Sequence, residues 1–418
     1  MKFIADFHVH SKYSRATSRD MEAEALAKWA GLKGINLLGT GDFTHPTYLA
    51  LLKEKLKPLG NGLLALKDKN SSVNFILTTE VCNIYHQGNK LRKIHTMIFA
   101  PSFEVVEKIN SKLSKLGKLT SDGRPIFTFP AKDLVKMILE ISDRCLIVPA
   151  HAWTPWFSIF GANSGFDSIE ECFGSDSRYI YCIETGLSSD PQMNWRVSKL
   201  DKICLISNSD AHSPSKIGRE ANVFDCELDY DKIMQAIKTK DKTKFLFTIE
   251  FFPEEGKYHF DGHRNCGILF SPKESKEVGN ICPVCHRKLT IGVMHRVCDL
   301  ADREEGYLPS NAIPSKHLIP LQEIIAEALN QGVDTKAVEN EYQRLVETCG
   351  SEFDILLDKS LDDLGKIASP KIVEGIKRTR EENLSIVPGY DGVFGKVSIF
   401  GEEKVERKEE KPDQLQLF

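Results

Sequence analysis

Two histidines stand two residues apart, His8 and His10, directly after the apolar run Phe3–Phe7. On a strand, residues i and i+2 point to one side. The pair can therefore grip one metal ion, or simply sit together as surface polar groups. A second pair of the same kind, Asp210 and His212, lies in "SNSDAH", and Glu80, His95 and His151 fall between the two pairs. Seven nitrogen and oxygen donors exceed what one tetrahedral zinc takes. They suit two or three ions that share carboxylates, with zinc, manganese or magnesium as candidates. Such a cluster lowers the pKa of a bound water to about 7 and stabilises charge on attacking and leaving phosphate oxygens. The set is read as a multi-metal hydrolytic site.

Seven strand-like runs and the helical patterns between them must position these residues over 1–250. Their order predicts an α/β domain with a largely parallel sheet. Six of the seven runs deliver a metal-type side chain at the C-terminal end. The first ends at His8 and His10, the second at Asp42, the third at Glu80, the fifth at His151, the sixth at Glu184 and the seventh at Asp210 and His212. In a closed βα barrel those ends converge on one face. The fourth run, Thr96–Phe99, has His95 at its start; a strand of reversed direction would bring it to the same face.

After the barrel, residues 251–302 hold "DGHRNCG" and "ICPVCH". His263-x2-Cys266 and Cys282-x2-Cys285, fifteen residues apart, read as a zinc ribbon, a closed four-ligand structural site. For the fourth ligand His263 has the right spacing, and His259, His286, His295 or Cys298 are alternatives. Residues 303–400 are mostly helical by pattern, and 401–418 form a charged tail poor in core residues. No apolar run approaches the ~20 residues of a membrane span. No signal peptide is apparent, so a cytoplasmic location is expected, with most of the eleven cysteines as buried free thiols. A net charge of −4 advertises no global basic field, but DNA binding depends on local phosphate contacts. Arg15 and Arg219 are candidates for such contacts, or for surface salt bridges.

The order H-x-H, D, E, H, AH, SDAH resembles the PHP (polymerase and histidinol phosphatase) family. The resemblance implies a distorted (β/α)7 barrel, a trinuclear metal site and phosphoester hydrolysis. His8, His10, Glu80, His95, His151, Asp210 and His212 match its ligands. Many members carry T-D-H after the second strand, whereas this chain has "TGDFTH". Asp42, favoured here, or His45 completes that ligand set, and Asp20 is a further candidate for the third metal. The stretches "ETGLSSDPQMNWR", "SNSDAHSPSKIGREANVFD", "GHRNCG", "CPVCHRKLTIGVMHRVCDLADR" and "PGYDGVFGKVSIF" closely resemble the endonuclease Q family along nearly the whole chain. That resemblance implies a DNA repair endonuclease that cuts 5′ to deaminated bases (hypoxanthine, uracil, xanthine) and abasic sites, in double- or single-stranded DNA. His8, His10, Glu80, His151 and Asp210 would form its catalytic centre, with two or three active-site metals and one structural zinc. A small-molecule phosphatase on the same barrel, and a DNA-binding scaffold with structural metal, are the other readings.

A nuclease that reads a deaminated base must extrude it into a pocket with aromatic walls. "HAWTPWFSIFGANSGFDS" offers Trp153, Trp156, Phe157 and Asn163 just beyond His151. They are read as lining the lesion pocket, against a hydrophobic mini-core that caps the barrel. The terminal "QLQLF", with Gln414, Leu415, Leu417 and Phe418 as anchors, fits peptides that dock on the replication sliding clamp, bacterial or archaeal, and its place on a charged tail suits tethered recruitment.

Overall fold

The structure is a computed structural model that describes residues 1–68 and 71–401. The Gln414–Phe418 motif lies outside the described residues. A mixed sheet of eleven strands organises the N-terminal half. Its path runs from Ser315–His317 through Phe245–Glu250, Ala221–Asp225, Lys2–Asp6 and Leu37–Gly39 to Asn74–Gln87. Lys2–Asp6, Leu37–Gly39 and Asn74–Gln87 are parallel neighbours. Asn74–Gln87 then turns into Lys90–Ala100, its antiparallel partner, which pairs with Leu146–Pro149.

The sheet is mixed and not the largely parallel one that the βα alternation predicts: besides the long hairpin, Ala221–Asp225 runs antiparallel to both Lys2–Asp6 and Phe245–Glu250, and Lys90–Ala100 runs antiparallel to Leu146–Pro149. The third apolar run does not stop at Glu80; its strand continues to Gln87 because "VCNIYH" keeps β-branched and aromatic residues facing the core. The reversal places His95 mid-strand, opposite Cys82, on a strand of opposite direction as the pattern requires.

Cys182–Glu184 and Cys204–Ile206 pair in parallel as a ladder of their own. Isolated backbone bonds join that ladder's ends to the main sheet: Ala152 N–H donates to Glu184 O (2.9 Å) and His10 N–H to Ala211 O (3.0 Å). Alternate residues of the strands in both ladders, among them Phe3, Phe7, Leu37, Val148, Cys182 and Ile206, meet in one buried cluster. Helices cover the other face. Ala131–Ile141 buries Ala131, Leu134, Val135 and Ile138 at the spacing of one helical stripe. Phe103–Leu113 starts where the Ser102 hydroxyl accepts the Val105 N–H. Ala23–Lys33 stops at Gly34, whose φ of 87° is left-handed.

The C-terminal half carries helices Leu321–Leu329, Lys336–Cys349, Leu361–Gly365 and Pro370–Arg380. It is not helical throughout. Strand Ser315–His317 adds to the edge of the main sheet, and Ser385–Val387 pairs with Lys396–Ser398 as a hairpin. A buried ion pair, Lys33 Nζ to Glu352 Oε2 at 3.1 Å, ties these helices to Ala23–Lys33. Among the described residues, no helix is long and apolar enough to cross a membrane.

Candidate active site

The loops that follow the strands draw the sequence-predicted residues together. A bridge between Val9 and Ala211 sets His8 and His10 beside Asp210. His8 Nδ1–H donates to Glu184 Oε1 (2.9 Å), and His10 Nδ1–H to Asp42 Oδ1 (3.0 Å). Each imidazole thereby turns Nε2 toward Asp210 Oδ1, at 3.6 Å for His8 and 3.0 Å for His10. One candidate metal-holding group is thus His8, His10 and Asp210.

The second group is Glu80, His95 and His151. Glu80 Oε1 lies 2.8 Å from His95 Nδ1 and 3.0 Å from His151 Nε2. Its other oxygen, Oε2, stands 3.4 Å from His10 Nε2. Glu80 is the carboxylate that links the two groups.

His8 Nε2, His10 Nε2 and Asp210 Oδ1 are buried atoms without a well-formed hydrogen bond. Leaving such atoms unpaired is costly, and imidazole with carboxylate is a donor set that divalent cations take. The charge points the same way. Asp42, Glu80 and Glu184 are fully buried, and among the described residues Glu80 alone of the three has an arginine beside it, Arg124 at 2.8 Å from Oε2. Burial alone would raise the Glu80 pKa, but His95, Arg124 and the bonds from His10 and His151 hold it well below its usual range. Burial lowers the pKa of His8 and His10, yet the facing carboxylates overcome this and raise both. The site demands positive charge, and its residues fit a divalent cation.

Asp42 does not face either group. Its Oδ2 accepts from Ser11 N (2.7 Å), Ser11 Oγ (2.7 Å) and Ser14 Oγ (2.8 Å), while Oδ1 takes His10. The expected ligand role is corrected: Asp42 is in neither ligand group, both of its oxygens are hydrogen-bonded, and it orients His10. His45 is also turned away, its Nδ1 capping the helix Pro46–Lys55 at Tyr48 N and its ring stacked on Tyr13. Asp20 is exposed. His212 stands at the rim, its ring 4.7 Å from His10 and its Nδ1–H donating to Asp210 O. Asp42, His151 and Asp210 all have left-handed backbones (φ 41°, 30° and 47°), a strain that collects at functional sites.

A cavity of about 540 Å³ opens onto these groups. His95, Arg124, His151 and Asp210 line its base, Trp156 and Phe157 one wall, and Lys257, Tyr258 and His259 the other. Trp156 and Tyr258 meet edge to face at 5.6 Å. Two expected pocket residues are elsewhere. Trp153 is core, packed on Phe160 at 4.8 Å with its indole N–H on Asn194, because the loop folds inward directly after His151. Asn163 is exposed and does not line the cavity. Arg15 is solvent-exposed with Asp122 at 3.4 Å. Arg219 pairs with Glu323 (3.2 Å) and lies over the Phe251 ring. The sequence reading missed Arg124, Lys257 and Tyr258, and noted Glu184 only as a strand end. A single arginine in "SDGRP" or a tyrosine in "GKYHF" carries no spacing signal.

Away from this site, ligand atoms of His263, Cys266, Cys282 and Cys285 lie within 4.8 Å of one another. None of the alternatives His259, His286, His295 or Cys298 belongs to this group; His263 is its fourth member. Against burial, the backbone N–H groups of Cys285 and Val284 lower the Cys282 thiol pKa, the environment a zinc thiolate needs.

The family model for the MJ0043 C-terminal domain matches residues 320–383. The chain is similar to PfuEndoQ of Pyrococcus furiosus, a lesion-specific endonuclease. The two share 31% identity and a TM-score of 0.85, over 97% of this chain and 98% of that one. It is also similar to endonuclease Q in complex with a 27-mer duplex bearing an abasic lesion at the active site: 31% identity, TM-score 0.84, 99% and 100% covered. The uncharacterized protein MJ0043 of Methanocaldococcus jannaschii is 33% identical over 280 residues, 64% of this chain. The matched region spans about a third (34%) of that archaeal relative's length.

Proposed function

The chain belongs to the endonuclease Q family, and from that premise we propose that it is a metal-dependent endonuclease that incises DNA at damaged nucleotides. One observation carries the reading: an aromatic-walled cavity has the two candidate ligand groups at its base. A nucleotide turned out of the helix would stand against the aromatic wall of Trp156, Phe157 and Tyr258 with its phosphate over Glu80, His151 and Asp210.

His8, His10 and Asp210 would hold one cation and Glu80, His95 and His151 another, with His212 at the edge for a third. A zinc, manganese or magnesium ion bound there would supply water activation and would offset charge on the phosphate oxygens. The protein's own groups do the rest. Asp42 and Glu184 fix the donor nitrogen of His10 and His8, respectively. Arg124 supplies a fixed positive charge beside Glu80. Trp156, Phe157 and Tyr258 exclude water and grip the base by stacking.

The finer reading is cleavage 5′ to hypoxanthine, uracil, xanthine or an abasic site. With it go a division into a distorted barrel (1–250), a zinc ribbon (251–302), a C-terminal domain (303–400) and a tail (401–418) that engages the sliding clamp in the cytoplasm. The barrel is supported by the common core that both ladders enclose. To test the activity, the protein is offered manganese, magnesium or zinc with a labelled duplex carrying one deoxyinosine or abasic site, an undamaged duplex and a small phosphomonoester. Nicking confined to the damaged duplexes is expected. Turnover of the monoester alone would instead make it a phosphatase.

A further inference from the structure

The stretch "VPGYDGVFGKVS" has no part in either metal group. It forms the turn of the hairpin Ser385–Val387 and Lys396–Ser398. Tyr390 and Val393 exchange backbone hydrogen bonds of 3.0 and 2.7 Å across Asp391 and Gly392, both left-handed. Asp-Gly is the pair such a tight turn favours. The turn is clamped from below. Gly389 N–H donates to Glu254 O (2.8 Å), Gly395 N–H to Glu255 O (3.0 Å) and Gly392 N–H to Lys257 O (2.9 Å). The Asp391 carboxylate points inward and accepts from Arg264 N (2.7 Å) and Thr290 Oγ1 (2.6 Å).

This clamp fastens the tip to the segment that gives Lys257 and Tyr258 to the cavity wall. At the tip, Phe394 is 69% exposed and Val393 39% exposed; among the described residues no other aromatic residue is as bare as Phe394. Lys257 Nζ sits 4.6 Å from the Phe394 ring centre. The Arg264 guanidinium lies beside Gly392 of the turn, and Lys396 is exposed two residues after Phe394. A rigid turn that holds a phenylalanine in water, with Lys257 against its ring and Arg264 beside the turn, next to the cavity wall, suits the base stack of a duplex with its phosphates on either side.

We propose that Phe394, backed by Val393, is a wedge that enters the stack where the damaged nucleotide has left it, while Lys257 and its neighbours hold the flanking phosphates. The proposal rests on the endonuclease reading above. Extrusion breaks stacking on both sides of a nucleotide, and an apolar side chain in the gap restores part of it. Because the turn is already fixed, little ordering is left for binding to supply.

The test compares the full-length protein with its Phe394→Ala and Phe394→Trp variants on two abasic duplexes, one fully paired and one with mismatches flanking the lesion. Mismatches open the stack in advance. Phe394→Ala is expected to nick the paired duplex about tenfold more slowly or worse, to lose at most about threefold on the mismatched one, and to be rescued by tryptophan. Wild-type rates on the paired duplex, or equal losses on both, would overturn the wedge while leaving the endonuclease standing. Failure of the wild-type protein to nick either duplex would remove the reading beneath it.

Discussion

The two imidazoles at positions 8 and 10 are chemically alike, and what distinguishes them is the carboxylate behind each. Glu184 holds His8 and Asp42 holds His10, in each case at Nδ1. A carboxylate there selects the tautomer whose Nε2 carries the free lone pair. Asp42→Asn keeps the shape and removes that selection, since an amide can present either its oxygen or its NH2 group. Metal affinity is expected to fall roughly 10–100-fold with the fold retained, as read by metal titration with circular dichroism alongside; an unchanged affinity would return Asp42 to a passive role. Donor types were legible in the sequence because His, Asp and Glu recur at strand ends. Their rank was not. Whether a carboxylate touches a cation or the back of a histidine depends on a rotation of a few ångströms, and "TGDFTH" contains no mark of it.

Strands and loops set that rotation, and one tight constraint lies after Cys182–Glu184. Gly186 has φ 63°, and a Cβ built on it would come 2.5 Å from His151 Cβ and 2.8 Å from His151 Cα. His151 is itself left-handed, its amide N–H held by Glu184 Oε2 at 2.7 Å. Two strained turns are therefore packed back to back. Gly186→Ala must displace one of them, at a cost of about 1–3 kcal/mol. A lower melting temperature and a loss of nicking are expected together, and a variant that melts and nicks as the parent does would show that the turn has slack. At this scale the helices were easiest to read. Ala131–Ile141 and Tyr230–Thr239 fall within a residue of their apolar stripes, because burial on one side alone sets the period. The hairpin at Ser385–Ser398 was not read, since two strands of three residues are too short for an alternation to register. Its Asp-Gly turn was the available sign.

Across the whole molecule, the C-terminal region is fastened to the sheet by polar contacts as well as by apolar packing, and one of them titrates in an accessible range. His317, on the strand that joins the edge of the sheet, lies with Nε2 3.2 Å from Asp190 Oδ2 and Nδ1 3.3 Å from Glu382 Oε1. Glu250 and Glu254 add negative charge nearby, and the Phe252 ring lies against the imidazole. Burial pushes the His317 pKa down, but the two carboxylates more than compensate and raise it from 6.5 to about 10. The folded pKa thus exceeds the unfolded one, so folding takes up a proton above pH 6.5. The stabilisation is complete below that value, shrinks through the alkaline range and is gone once the pH passes about 10. Wild-type protein should then lose about 2 kcal/mol or more between pH 7 and 10, seen as a falling melting temperature. His317→Gln, with no proton to release, should begin lower and follow a flatter curve. Parallel curves for the two proteins would mean that this three-way contact is not what joins the C-terminal region to the sheet, and would leave that role to contacts such as Lys33 with Glu352 and Arg219 with Glu323.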